Sequence, residues 1–344
     1  MQNLRRIFEK LAWVLISFAA IHIVFSGALA IHVSRMNRLD TELTDNVFAP
    51  EPVAVVMGRD LIRKSGGKKI VLLGSSNVRE GFRPELIEPA LPEYSVHNLA
   101  VGASNITQIR QIVELTYEVL SSDERKHTTL VVGIWFGNFV ENAKRWGPGK
   151  QTDIQVELKR YGGYEFKDHQ ILPVSTRVQD LRLHYLSLFG PYTLLRRLFV
   201  LASGIQIRIP YSGSVDDEFK KRAFAFWREY MGSPDGSLGR EQFDAVIELA
   251  QLVEKNGGKL VILDLPIPKW HQSASLYLKS YESLKSELIK PLFTNPRVRY
   301  MDLRDLNENS HFYDSAHPTK QAALIWSTTL KEELLKLTRN VGSH

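Results

Sequence analysis

The chain has 344 residues, 44% of them hydrophobic and 24% charged, which is ordinary globular material for one large domain or two modest ones. A formal net charge of +6 and a pI near 9.3 permit contact with phosphates or an acidic polymer, but no basic run is interleaved with aromatics, so nucleic acid is not expected as a partner. There is no cysteine, which excludes disulfides and thiolate metal sites.

At the N-terminus Arg5, Arg6 and Lys10 precede an apolar run from Leu11 to Ile31, broken only by Ser17, His22, Ser26 and Gly27. At a helical rise of about 1.5 Å per residue the run is roughly 31 Å long, the thickness of a bilayer core. The basic flank predicts an N-terminus left in the cytoplasm, and everything after residue 33 delivered outside, periplasmic or extracellular. Ala28-Leu29-Ala30 has the small-x-small form of a cleavage site, so a removable signal peptide is the rival; the anchor is preferred because the run exceeds a typical signal core. A buried core helix is the third reading. A single imidazole, His22, does not forbid insertion and could face another protein in the membrane.

Residues 34 to 66 are expected to form a stalk, with Pro50 and Pro52 as breakers, and a first helix around Val53 to Lys64. After a polar turn, strands are predicted at Ile70 to Leu73, Tyr94 to Leu99, Thr129 to Ile134, Lys259 to Leu265 and Val298 to Leu303. Helices are predicted near Ile106 to Leu120, Arg240 to Lys255, Tyr277 to Leu292 and Lys320 to Leu337. Such alternation indicates an α/β fold, a parallel sheet covered on both faces, with its chemistry at the C-terminal strand ends. One domain from about 67 to 340 is expected, with an insertion at about 140 to 240 that is too long for a loop and should be a helical subdomain. The insertion is rich in aromatic and basic residues, as in RWGPGK, KRYGGYEF and FAFWREYM. Its apolar stretch Leu183 to Leu201, with Arg196 and Arg197 inside, would cover the active site, lie against a membrane surface, or pack a small core of its own.

The first strand, IVLLGSSN at 70 to 77, ends abruptly at Gly74 in two serines and an asparagine. A serine becomes a nucleophile only when a base removes its proton and a third group orients that base. Among ten histidines the best base is His317 in HFYDSAHPTK, with Asp314 three residues before it. That spacing lets one turn of chain set the carboxylate on one ring nitrogen while the other faces the sheet edge. Pro318 breaks the preceding segment, and Thr319 can cap the final helix. Taken alone, Asp314 and His317 could simply cap a turn. His311, Asp314 and His317 offer donors that suit a metal, but a helix cannot present three residues at this spacing on one narrow face; no metal or cofactor is expected, and His311 is read as a surface residue. Arg79, beside the serine turn, is either solvated or holds an anionic substrate group.

In combination these segments resemble the SGNH or GDSL hydrolase superfamily of esterases and acyltransferases. GSSN at 74 to 77 is similar to its first block, with Ser76 in the nucleophile position and Ser75 where many members carry aspartate. HNLAVGASN at 97 to 105 is similar to the second block, IWFGN at 134 to 138 to the third, and DSAH at 314 to 317 to the last. The resemblance covers roughly residues 68 to 140 and 258 to 338. It implies a flavodoxin-like three-layer sandwich and a catalytic set of Ser76, Asp314 and His317. It also implies an oxyanion hole from the amides of Ser76 and of Gly102 or Ala103 and from the Asn138 side chain. Ala103 stands where the family carries glycine, with Gly102 one position early. Phe136 replaces a glycine and Phe139 an aspartate, changes expected to narrow the pocket and make it more apolar.

The organisation resembles membrane-anchored SGNH-like proteins of envelope polymer acylation, of the D-alanyl-teichoic acid and exopolysaccharide O-acetylation types. The expectation is therefore a membrane-anchored extracytoplasmic serine acyltransferase or esterase acting on acyl groups of a cell-envelope polysaccharide or related polymer. Its partners would be the acylated polymer or acyl donor, a membrane-bound O-acyltransferase, and the membrane through residues 11 to 31. Transfer is preferred to hydrolysis because of the tether and the aromatic insertion. The alternative is a catalytically silent scaffold assisting such an acyltransferase.

Overall fold

Runs such as Ile70-Val71-Leu72-Leu73, Leu130-Val131-Val132 and Leu260-Val261-Ile262-Leu263 offer apolar side chains to both faces, as a strand covered on both sides requires. In the computed structural model, which describes residues 2–34, 58–59, 61–140, 164–167, 170–173 and 209–339, each run is a central strand. The sheet strands are β1 (Lys68–Leu73), β2 (Tyr94–Asn98) and β3 (Thr128–Ile134), followed after the insertion by β6 (Lys259–Asp264) and β7 (Val298–Asp302). All pairings are parallel and the order is β2-β1-β3-β6-β7. This is the flavodoxin-like arrangement expected from the sequence. Strand order reverses between β1 and β3, so a crevice opens at their C-terminal ends.

The helices follow the same reversal. After β1 come α2 (Ser76–Gly81) and α3 (Pro84–Ile87), and the last helix, α10 (Lys320–Arg339), packs against both. After β2 come α4 (Ile106–Glu118) and α5 (Ser122–Lys126); α7 (Glu241–Lys255), which leads into β6, packs on α4. Right-handed crossovers place these two groups on opposite faces of the sheet. On one face Trp326 of α10 is fully buried against Phe82 and Phe312. In the other group Phe139, Phe243 and Tyr281 stack together.

The expected stalk, the start of the expected Val53 to Lys64 helix, and the stretch Leu183 to Leu201 with Arg196 and Arg197 lie outside the described residues. Within the insertion the described residues form an antiparallel pair, β4 (Tyr164–Lys167) with β5 (Gln170–Pro173), and the helix α6 (Asp217–Met231). The N-terminal helix α1 (Gln2–Ser34) runs through Ala28-Leu29-Ala30 without a break. Its segment Arg5–Val24 has a mean hydropathy of 1.8 and is not buried among the described residues, and it is long and apolar enough to cross a membrane.

The single helix expected from Tyr277 to Leu292 is interrupted. After α8 (Lys269–Ala274), α9 (Leu278–Leu284) passes into a π turn at Lys285–Ile289 and a 3-10 turn at Lys290–Thr294. Pro291 has no N–H to continue the helix, and Lys285 turns inward to Asp264, which ends β6. Asp264 is fully buried and accepts bonds from Lys285 Nζ at 2.5 Å, Tyr281 Oη at 2.9 Å and Tyr300 Oη at 2.8 Å. Arg304 Nε stands 3.4 Å away. Burial pushes the Asp264 carboxyl up, against the pull of Lys285 and Arg304. With these donors converging on two oxygens, the ionised, acceptor-only form fits the geometry. Replacing Asp264 with Leu should cost about 3–5 kcal/mol in urea unfolding, because Lys285 loses its buried counter-ion, and Asp264→Leu with Lys285→Met should recover much of that loss.

Candidate active site

The turn after β1 is made tight by Gly74. Its φ is 154°, and a Cβ there would lie 2.3 Å from Val78 Cγ2, so only glycine lets the first turn of α2 fold back on the strand. Ser75 then caps α2, its carbonyl accepting from the Val78 and Arg79 amides, and Ser76 is the first helical residue. Asn98, at the end of β2, closes the other end of this helix by donating to the carbonyls of Val78 at 3.1 Å and Phe82 at 3.0 Å.

From 241 positions further along the chain, His317 brings Nε2 to 2.6 Å from Ser76 Oγ. Its Nδ1 lies 2.6 Å from Asp314 Oδ2, while Asp314 Oδ1 accepts from the amides of Ala316 at 2.8 Å and His317 at 2.7 Å. One carboxylate thus shapes its own turn and orients the imidazole. Burial lowers the affinity of His317 for a proton, but the hydrogen bond and charge of Asp314, with that of Glu80 behind, outweigh it, and the imidazole ends above its ordinary value of 6.5. Burial raises Asp314, and its bonds to His317 and the two amides outweigh that, leaving it below the usual aspartate value.

Several residues that no sequence pattern marks hold this set. Asn77 donates from Nδ2 to Ala316 O at 2.7 Å and accepts from Ser75 Oγ at 2.9 Å, so it ties the serine turn to the histidine turn. Trp135 Nε1 donates to Ser75 Oγ at 3.3 Å. Tyr313 stacks on His317 with an interplanar angle of 13° and donates to Glu80 Oε2 at 2.7 Å. Arg79, a candidate anion holder, is instead paired with Glu80 at 2.8 Å. His271 is buried, and its Nδ1 lies 2.6 Å from Ser315 O; Trp227 Nε1 donates to Ser315 Oγ at 2.9 Å. One signal for His271 was present: PIPKWHQ directly follows a strand, where site residues gather.

A pocket of about 430 Å³ opens over Ser76 and His317. Ser75, Asn77, Ala103, Ser104, Trp135 and Gly137 form its floor, and α6 supplies its far wall. Phe219, Arg222, Ala223, Phe226, Trp227 and Tyr230 recur at three- and four-residue spacing, so one face of α6 looks onto the serine. Part of the insertion therefore covers the site.

Of the two residues aligned with the family glycine, Ala103 lines the pocket and Gly102 is buried beside it. Ala103 has φ of 56°, the left-handed region that costs a residue with Cβ about 1–2 kcal/mol, which explains why glycine suits the position. Asn138 is fully buried; its Oδ1 accepts from Trp135 N at 3.1 Å and its Nδ2 donates to Ser104 O at 2.7 Å. It stands behind Ser104 rather than in the pocket lining, with one N–H of its amide spent on that carbonyl. The expectation for Phe136 and Phe139 is corrected: neither lines the pocket. Phe136 packs among Trp135, Trp227, His271 and Tyr277, and Phe139 stacks on Phe243 at 4.0 Å, because both turn from the short 3-10 turn after β3 into the core. Trp135 and α6 make the pocket apolar instead.

No protein-family model matches the chain, and no curated protein matches it. Among solved structures it is similar to a GDSL-like lipase from Bacteroides thetaiotaomicron VPI-5482, at 9% identity and a TM-score of 0.38 over 83% of this chain and 99% of that one. It is also similar to a family two carbohydrate esterase from Clostridium thermocellum in complex with cellohexaose, at 9% identity and a TM-score of 0.37 over 80% of this chain and 66% of the other. An acetyl xylan esterase from Butyrivibrio proteoclasticus gives 8% identity and a TM-score of 0.35 over 80% and 65% of the two chains.

Burial drives His271 down to about 4, so it is neutral at physiological pH and its Nδ1–H donates to Ser315. A lowered pKa in the folded state means that this stabilisation is complete above 6.5 and is lost as pH falls toward 4. Urea unfolding of the wild type should lose on the order of 3 kcal/mol across that interval from this group. His271→Gln should be less stable at pH 8 and should lack that part of the slope.

Proposed function

We propose that the protein is an SGNH-type serine acyltransferase or esterase, working through an acyl-Ser76 intermediate and held at a membrane by α1. The observation that carries this reading is the continuous hydrogen-bonded relay from Ser76 through His317 to Asp314 at the floor of an apolar pocket. His317 Nε2 takes the Ser76 proton as Oγ bonds to the acyl carbon. The same proton then goes to the departing alcohol or amine as its bond to that carbon breaks. An acceptor hydroxyl later reverses these steps, giving its proton to His317 and taking the acyl group from Ser76. The amides of Ser76 and of Gly102 or Ala103 are the donors assigned to the oxyanion, with Asn138 holding Ser104 from behind the pocket floor, and loss of one such donor typically costs about 100-fold to 1000-fold.

Transfer to a hydroxyl of an envelope polysaccharide is preferred to hydrolysis. The aromatic wall from α6 shields the acyl-enzyme from water, and a tether at the membrane suits a donor or acceptor made there. The basic flank at Arg5, Arg6 and Lys10 supports a catalytic domain on the extracytoplasmic side, beside a membrane-bound O-acyltransferase as partner.

Full-length protein in detergent, treated with p-nitrophenyl acetate and with a fluorophosphonate, should gain one acyl or phosphonyl adduct by intact mass, and Ser76→Ala should gain none. Absence of both adducts from the wild type would reject the enzyme reading in favour of a scaffold. Because His317 must be neutral to accept the proton and its pKa lies above 6.5, kcat/KM for p-nitrophenyl acetate should rise with pH along an acid limb centred above 6.5. Asp314→Asn should shift that limb downward and reduce the plateau.

A further inference from the structure

The charged residues lining the pocket are Asp314 and Arg222. Asp314 is committed to His317 and two backbone amides. Arg222 is exposed on the pocket side of α6 and makes no hydrogen bond or ion pair among the described residues; Glu218, one turn back on the same helix, is not paired with it. An arginine without a counter-ion at the mouth of an apolar pocket is a ready partner for an incoming anion, which its planar fork can take with two hydrogen bonds.

One turn further along α6, Phe226 is 54% exposed and stacked on Tyr230 with ring centroids 5.6 Å apart. Positions four apart on a helix have Cβ atoms about 6 Å apart, so the cation and the exposed ring are neighbours. An exposed aromatic face without a polar group receives the apolar face that the axial C–H groups of a sugar ring present. A pyranose laid there carries a ring-attached carboxylate at its edge, within reach of Arg222.

We propose that Arg222 is a specificity-determining residue for a carboxylate-bearing saccharide, a uronic-acid sugar whose ring rests on Phe226. This rests on reading the pocket as the acyl-transfer site, with the sugar as acceptor. A carboxylate is favoured over a phosphomonoester because the described lining offers one unpaired cation, which balances one negative charge and not two.

The test is direct binding to full-length Ser76→Ala in detergent, read by tryptophan fluorescence, since Trp135 and Trp227 line the pocket. The probes are trigalacturonate, trimannuronate, their methyl esters, and maltotriose 6-phosphate. At least one uronate should bind about tenfold or more tightly than its methyl ester. Adding Arg222→Gln should erase that difference while leaving ester binding unchanged, and Arg222→Lys should keep part of it. Equal binding of acid and ester, discrimination that survives Arg222→Gln, preference for the phosphate, or no binding by either uronate overturns the proposal. Because Ser76 is absent throughout, the outcome is independent of adduct formation, and failure of one reading is distinguishable from failure of the other.

Discussion

The site depends on joining two turns at opposite ends of the α/β domain. Ser76 and Asn77 follow the first strand of the sheet, Ala316 and His317 precede the last helix, and two short bonds, Ser76 to His317 and Asn77 to Ala316, bring them together. Those bonds require α2 and α10 to pack side by side. That packing in turn depends on Gly81, where a Cβ would lie 2.5 Å from the Trp326 ring, and on Trp326 filling the space against Phe82 and Phe312. An apolar contact sets the spacing within which polar geometry can be accurate.

Around that junction the chain arranges successive supports. Asp314 orients His317 and shapes its own turn, Glu80 holds Tyr313 against the imidazole, and His271 and Trp227 hold Ser315 from the other side. Trp227 belongs to α6, so the insertion does more than line the pocket; it also holds the turn that carries Asp314 and His317. The neutral state of His271 belongs to the same logic, since a charged imidazole in that apolar cluster of Phe136, Phe224 and Trp227 would be costly.

Among the described residues, the pocket combines an apolar wall with one unpaired cation. Trp135, Phe219, Phe226 and Trp227 give the wall its apolar area, while Arg222 gives it a directional feature. Such a division, area from aromatics and orientation from a few polar groups, is how small-molecule sites obtain both affinity and selectivity.

Much of this was legible in the sequence. Period and composition located the five sheet strands to within two residues; the three central ones, β1, β3 and β6, are short apolar runs because both their faces are covered. Ser76, Asp314 and His317 stood out at a strand end and at an Asp-x-x-His spacing, but it was the resemblance of four short blocks in order that grouped them into one candidate set. What stayed hidden was contact between distant segments. Asn77 reaching Ala316, His271 reaching Ser315, and Phe136 and Phe139 turning into the core and away from the pocket all depend on which faces meet after folding. In the sequence FAFWREYM showed only as an aromatic and basic stretch; the packed molecule decided that one face of α6 looks onto the serine and that Arg222 has no counter-ion among the described residues. Local sequence determines the elements and the chemistry they carry; side-chain partners are fixed by the tertiary arrangement, because they lie from 44 to 241 positions apart and no short-range pattern encodes them.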